Sequence, residues 1–433
     1  MSEWTRKTIA ECAANEPYST QIGPFGKALT PEEYTLSGVP LLRGVNVNHG
    51  RFYDDGFVFI SEETADRLYK YESYPGDVLL VHKGTLGQIG LMPHNRKYHR
   101  YIMGNSMLRV RCDETKLIPE YLYYWLCSRE GQHYLFSRVS QVGVPQIQKP
   151  LATLREASLL VPPIDEQKSI TRILETLDTK IENLRRQNET LETIAQTLFK
   201  HWFIDFEFPN DDGKPYKSSG GAMVASELGD IPAGWRVGVS GEIINLQGGF
   251  AFKSEDFQDV GNHGVIKIKN ISDNIVDINK TDFISDSVAS KINLKFKLSS
   301  EDILIAMTGA EVAKIGVVPK TKNSFFLNQR VGLFQEKING GKLYIYYLFS
   351  REEYQKALRD RGSGSSAQPN ISASDIEDIT IIIPTLSIIK KFANIAGSLF
   401  IKKCENLFQI QTLTKTRDTL LPKLMSGQIR VKN

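Results

Sequence analysis

The sequence predicts a mixed α/β (α+β) fold in which two similar globular domains are separated by two long antiparallel coiled-coil helices, a dumbbell with pseudo-two-fold symmetry. Three observations predict it. Residues 40–200 return in the same order of parts at 265–425. Each copy closes on a long helical pattern, and short β-like runs punctuated by Gly and Pro fill the rest. The repeat is explicit. Phe59-Ile60-Ser61 returns as Phe283-Ile284-Ser285, and Gly76-Asp77-Val78-Leu79-Leu80 as Glu301-Asp302-Ile303-Leu304-Ile305. Tyr123-Tyr124-Trp125-Leu126-Cys127-Ser128-Arg129-Glu130 returns as Ile345-Tyr346-Tyr347-Leu348-Phe349-Ser350-Arg351-Glu352, and Pro145-Gln146-Ile147 as Pro369-Asn370-Ile371. Solenoid repeats have periods of about 20 to 50 residues, so a repeat this long means duplicated domains. Duplication with diverged middles suits a molecule that holds two similar surfaces against a two-part target.

The first domain is expected over 1–161. Val78-Leu79-Leu80-Val81 and Met107-Leu108-Arg109-Val110-Arg111 read as strands. Tyr121, Leu122, Trp125, Leu126 and Tyr134 at helical spacing predict one amphipathic helix over 118–137, its aromatics facing the core. Pro162-Pro163 closes that domain, and Asp165 and Glu166 suit the start of the next helix. From there Ile170, Leu177, Leu184, Leu191 and Leu198 share one heptad position; Leu174, Ile181, Asn188, Ala195 and Trp202 share the position four later. Five heptads with charged flanks predict a coiled-coil spacer helix within 162–206, with Asn188 setting register in the seam. At 1.5 Å per residue, a helix of ~38 residues runs ~57 Å. The polar, Gly- and Pro-bearing stretch 207–230 reads as a linker. A second domain is expected over 231–384, Trp235 echoing Trp4. A second spacer helix with a C-terminal tail follows over 385–433. Phe392, Leu399, Leu413 and Leu420 form its seam, while Ile389, Ala396 and Ile410 share a position that Lys403 and Arg417 interrupt. Pro422 is expected to end it.

A chain of 433 residues exceeds one core. With 53 Lys and Arg against 50 Asp and Glu, the net charge is +3, which neither demands nor excludes nucleic acid. No apolar run approaches the ~20 residues of a membrane span, so no membrane partner is expected. The N-terminus leads into no apolar signal region. Cys12, Cys112, Cys127 and Cys404 lie far apart without a Cys-x-x-Cys pair, which argues against zinc and disulfides and fits a reducing cytoplasm.

Catalytic signatures are missing. There is no phosphate-binding Gly-x-x-x-x-Gly-Lys loop and no Gly-x-Ser-x-Gly elbow. The seven histidines make no metal spacing, and Pro162-Pro163 lacks the flanking residues of a DNA amino-methyltransferase motif. No catalytic residue, and no metal or cofactor bound by this chain, is expected. What recurs instead is a set of polar, Gly-marked loops at matching places. The first copy offers Lys83, Thr85 and Gln88; Arg96, Lys97 and Arg100; then Gln141 and Gln146. The second offers Thr308; Lys320 and Lys322; Gln329 and Arg330; then Ser365, Gln368 and Asn370. Lys and Arg anchor phosphates, and Asn, Gln and Arg can bond base edges in pairs. Any one of these residues reads equally well as part of a solvated turn. The signal is that the loops recur in register with different polar content, as two copies reading different DNA sequences would require.

Several phrases together make a more specific pattern: Gly76-Asp77-Val78-Leu79, Pro162-Pro163-Ile164-Asp165-Glu166-Gln167, Trp202-Phe203-Ile204-Asp205-Phe206, Ile231-Pro232-Ala233-Gly234-Trp235 and Leu421-Pro422-Lys423-Leu424-Met425-Ser426-Gly427. With the two-fold repeat, the chain resembles the specificity (S) subunit of type I restriction–modification systems over essentially its whole length. It departs at Pro384-Thr385-Leu386-Ser387, where the Pro-x-x-Glu-Gln phrase of the first copy is absent. The resemblance implies two target-recognition domains, each binding one half of a bipartite, asymmetric double-stranded DNA site. It implies spacer helices that set the gap and dock two methyltransferase subunits carrying S-adenosylmethionine, and restriction subunits that use ATP and Mg. The alternative is a structural coiled-coil adaptor joining two protein-binding domains. An adaptor is indifferent to DNA, whereas phosphate binding weakens steeply with salt.

Overall fold

The computed structural model describes residues 4–48, 51–140, 143–272, 274–310, 312–362 and 369–431. The chain divides into two compact units, one of residues 1–179 and 414–433, the other of 180–413.

In the first unit Thr5–Thr8 pairs antiparallel with Ser158–Val161, so the opening and closing strands of the globular part lie side by side. An antiparallel sheet runs in the order Thr20–Ile22, Met107–Val110, Val78–Val81, Ile89–Leu91. Every residue of Val78–Val81 is buried, because both faces of the sheet are covered. Side chains alternate across a strand: Val78 and Leu80 join the core around Tyr121, Leu122 and Trp125, while Leu79 and Val81 join one around Leu41, Tyr101 and Met103. The second unit repeats the plan. Arg236–Val239 pairs with Thr380–Ile383, and Ile303–Ala306 sends Ile303 and Ile305 to one core and Leu304 and Ala306 to another.

The helix expected over 118–137 is two helices, Pro119–Cys127 and Arg129–Phe136. Ser128 breaks them: its backbone is extended and its hydroxyl accepts from the Gly131 amide, capping the second helix. An added Cβ at Gly131 would lie 2.3 Å from the Trp125 carbonyl oxygen, so the fold-back needs glycine there. Gly341–Phe349 and Glu352–Gly362 repeat the break. The stretch 207–230, expected as a linker, carries a tight aromatic stack. Phe208 lies between Tyr216 and Trp235 at centroid distances of 4.6 and 4.9 Å.

The first spacer helix is Ile164–Phe203 and the second Leu386–Met425, each of 40 residues. They pair antiparallel within each unit. In the first, Arg417 donates to Asp178 at 2.7 Å, and beyond the end of the second helix Arg430 donates to Glu166 at 2.7 Å. In the second, Asn406 donates to the Asn188 side-chain oxygen at 3.0 Å and Lys403 to Glu192 at 2.7 Å. Asn188 thus meets a seam asparagine, a polar contact that only one register satisfies. Lys403 and Arg417, which interrupt the apolar pattern of the second helix, each face an acid of the first. The seam itself drifts from the expected set. Ile170, Leu184 and Phe392 are buried, but Leu177, Leu191, Leu198, Leu399, Leu413 and Leu420 are only half-buried, and Phe199 replaces Leu198 in the core. An α-helix slips ~20° per heptad against a strict seven-residue repeat, which moves the stripe by one position over this length. Pro422 does not end the second helix. It sits in the last turn, where one lost hydrogen bond is offset by burial of Leu421, Leu424 and Met425, and the left-handed Gly427 follows the helix end. Among the described residues no helix is long and apolar enough to cross a membrane.

Candidate functional site

In the first copy the turn that follows Val78–Val81 meets the later polar loop through a bridge between Lys83 and Gln146. The Gly84 amide donates to the Pro145 carbonyl at 3.1 Å and the Ile147 amide to the His82 carbonyl at 2.9 Å. In the second copy Thr308 bridges Asn370, the Gly309 amide donates to the Pro369 carbonyl at 2.8 Å, and the Ile371 amide to the Met307 carbonyl at 2.8 Å. Loops 60 or more positions apart in sequence are therefore stitched together in the same way twice. Gly84 and Gly309 have φ of +84° and +82°, a backbone region that favours glycine.

A third loop joins each pair. The His82 amide donates to the Ser106 carbonyl and the Met307 amide to the Arg330 carbonyl, at 2.9 and 3.0 Å. Gln329 and Arg330 are thereby brought beside Thr308 and Asn370. Their first-copy equivalents, Asn105 and Ser106, escaped the sequence reading because two small polar residues in a short turn carry no local signal. Matched positions differ in chemistry: Lys83 against Thr308, Gln88 against Lys314, Ser106 against Arg330, Gln146 against Asn370. Two glutamines also missed in sequence clamp the turn. Gln132 donates to the Gly87 and Leu126 carbonyls, and Gln355 donates to those of Ala313 and Phe349.

The remaining basic residues fall elsewhere. Arg96, Lys97 and Arg100 lie in the loop leaving the other end of Ile89–Leu91. There Arg100 is held by Glu62, Asp66 and Glu72, the Lys97 amide donates to Asp54, and Arg96 reaches the Ser73 carbonyl. Lys320 and Lys322 likewise follow Ile315–Val317 at its far end, and Lys320 pairs with Glu405 of the second spacer helix. Strand direction decides this split, since hairpin neighbours leave a sheet at opposite ends. Gln141, Ser365 and Gln368 lie outside the described residues.

His82 stands at the base of the first composite loop, its Nε2 3.2 Å from the Asn105 carbonyl oxygen. Burial pushes its pKa below the ordinary histidine value. The folded chain then binds fewer protons than the unfolded chain, so this contribution to stability is complete above about pH 6.5 and is lost as pH falls. His82→Met, copying Met307, is expected to flatten the fall in thermal midpoint between pH 7.5 and 5.5; identical slopes for both proteins would remove His82 from that role.

The duplicated loops and helices have a counterpart among known proteins. The family described as the type I restriction modification DNA specificity domain matches residues 34–193 and again 232–407, each match spanning most of one globular copy and most of the helix after it. The chain belongs to the type I restriction–modification specificity family. It is 30% identical over 363 residues to the type I restriction enzyme MjaIX specificity subunit of Methanocaldococcus jannaschii, covering 82% of this chain and 78% of that protein. Against the HindI specificity subunit of Haemophilus influenzae it is 24% identical, covering 81% and 87%. Its fold is similar to the crystal structure of a type I S subunit from M. genitalium, with a TM-score of 0.59 at 18% identity over 98% of this chain and 96% of that one. As a specificity subunit with two matched domains, the chain leaves the protein-adaptor alternative without support.

Proposed function

We propose that this specificity subunit recognises a bipartite, asymmetric double-stranded DNA site, one half bound by each target-recognition domain. The observation that carries the reading is the composite loop built twice with the same bridges and filled with different polar side chains. Identical stitching holds each loop set rigidly, and different chemistry reads different bases. The spacer helices set the unread gap and dock two methyltransferase subunits; restriction subunits join the same complex in the cytoplasm. S-adenosylmethionine, ATP and Mg belong to those partners, and this chain does the recognising without catalysis.

The test is a map of adenine methylation in cells carrying the chain and its neighbouring methyltransferase, against cells lacking only this chain. A two-part motif present in the first and absent in the second is the expected result. An unchanged methylome would overturn the assignment in that pairing.

A further inference from the structure

The second target-recognition domain contains five arginines within 231–384. Four are occupied within the protein. Arg236 pairs with Glu242, Arg351 with Glu353 and Arg359 with Glu352, while Arg361 donates to the Asp375 and Asp378 carbonyls. Among the described residues no carboxylate or carbonyl holds the guanidinium of the fifth, Arg330, which is exposed.

Its backbone, by contrast, is fixed from several directions. The Arg330 amide donates to the Asn328 side-chain oxygen at 3.3 Å, and its carbonyl accepts from Met307 at 3.0 Å. On either side, the Gln329 amide donates to the Phe250 carbonyl at 2.9 Å and the Val331 amide to the Asn328 carbonyl at 2.9 Å. The Asn328 amide donates to the Ile266 carbonyl at 3.2 Å. A short turn between Ser324–Leu327 and Val331–Glu336 thus holds one unspent planar cation beside Thr308 and Asn370. The first copy puts Ser106 at the same place and carries Lys83 on the neighbouring loop instead.

The side-chain chemistry then separates the two copies. A guanidinium presents a rigid fork of donors that matches the paired acceptors on the major-groove edge of guanine, and a fixed backbone keeps the entropy cost of using it small. A lysine ammonium is a point charge on a flexible stem, suited to phosphate, and serine has no fork. We propose that Arg330 is a specificity-determining residue that reads a guanine in the half-site of the second target-recognition domain, from the place that Ser106 holds in the first. The inference rests on the bipartite DNA reading above.

The test compares methylation motifs directed by the wild-type chain, Arg330→Ala and Arg330→Lys, each with the methyltransferase subunit. Purified complexes are then titrated with duplexes substituted at each guanine of the second half-site, across a range of salt concentrations. The wild-type motif is expected to contain a guanine in that half. Arg330→Ala should leave the first half and the gap unchanged while discrimination at one guanine position falls by roughly 5- to 150-fold. Arg330→Lys should keep the salt dependence yet lose part of that discrimination, because the charge remains and the fork does not. The proposal is overturned by a second half-site without guanine on either strand. It is equally overturned if Arg330→Ala keeps every letter of the motif and weakens all duplexes alike with a shallower salt slope, the behaviour of a phosphate anchor. Loss of any two-part motif in the wild type would instead overturn the bipartite reading. Among the described residues the side chain makes no structural bond, so folding of the variants, checked by thermal unfolding, is expected to match the wild type.

Discussion

Lys403→Met is expected to destabilise the chain by about 3–5 kcal/mol, because it leaves a nearly buried carboxylate without its cation. Lys403 is 8% exposed and Glu192 16% exposed, and the ammonium donates to Glu192 at 2.7 Å and to the Tyr346 hydroxyl at 3.1 Å. The Tyr346 hydroxyl also donates to a Glu192 oxygen, but at 3.5 Å this long neutral bond cannot replace the ammonium, so the carboxylate's charge is left uncompensated. Adding Glu192→Leu to Lys403→Met should recover most of the loss, since an apolar contact replaces both charges at similar volume. Urea unfolding of the single and double variants measures this. A single variant that unfolds at the wild-type midpoint would show that the pair holds nothing together. The Asp178–Arg417 pair of the first unit, each side more than a quarter exposed, is screened by water and contributes less.

The second large effect concerns the gap between the half-sites. Inserting one heptad into both spacer helices, after Leu184 and after Ile410, is expected to leave both half-sites unchanged and lengthen the unread gap by about 3 base pairs. Seven residues add ~10.5 Å of helix against ~3.4 Å per base pair. The two sites lie at one level, because Asn188 faces Asn406 and Glu192 faces Lys403. Lengthening the first helix alone would instead put seven extra residues between Asp178 and Glu192, so that keeping one acid on its base slides the other two turns past, and that variant should fold poorly. Methylation mapping reads the gap directly. A well-folded double insertion with an unaltered gap would show that these helices are not the ruler.

The sequence made the duplication legible because insertions between the copies are short enough to keep Phe59 and Phe283, or Val78 and Ile303, in step. Glycine and proline likewise exposed the composite loops at Gly84 and Pro145. What stayed hidden depends on contacts distant in the chain. Lys403 looked like a flaw in a seam because its partner, Glu192, lies more than 200 residues earlier. Arg100 looked available for DNA because Glu62, Asp66 and Glu72 are scattered through the preceding segment. The break at Ser128 was masked by an apolar periodicity that continues across it. Asn105 and Ser106 became visible only when strand pairing set them beside His82.

Both seam acids lie on the first spacer helix and both seam bases on the second. The helices start at Ile164 and Leu386, so equivalent positions are 222 apart (386 − 164). Were two first helices to zip together in the same register, Asp178 would meet Ala195 and Glu192 would meet Ile181, carboxylates against hydrocarbon. Two copies of the first half would thus bring carboxylates to a seam that offers them no cation, whereas the two unlike halves supply acid to one side and base to the other.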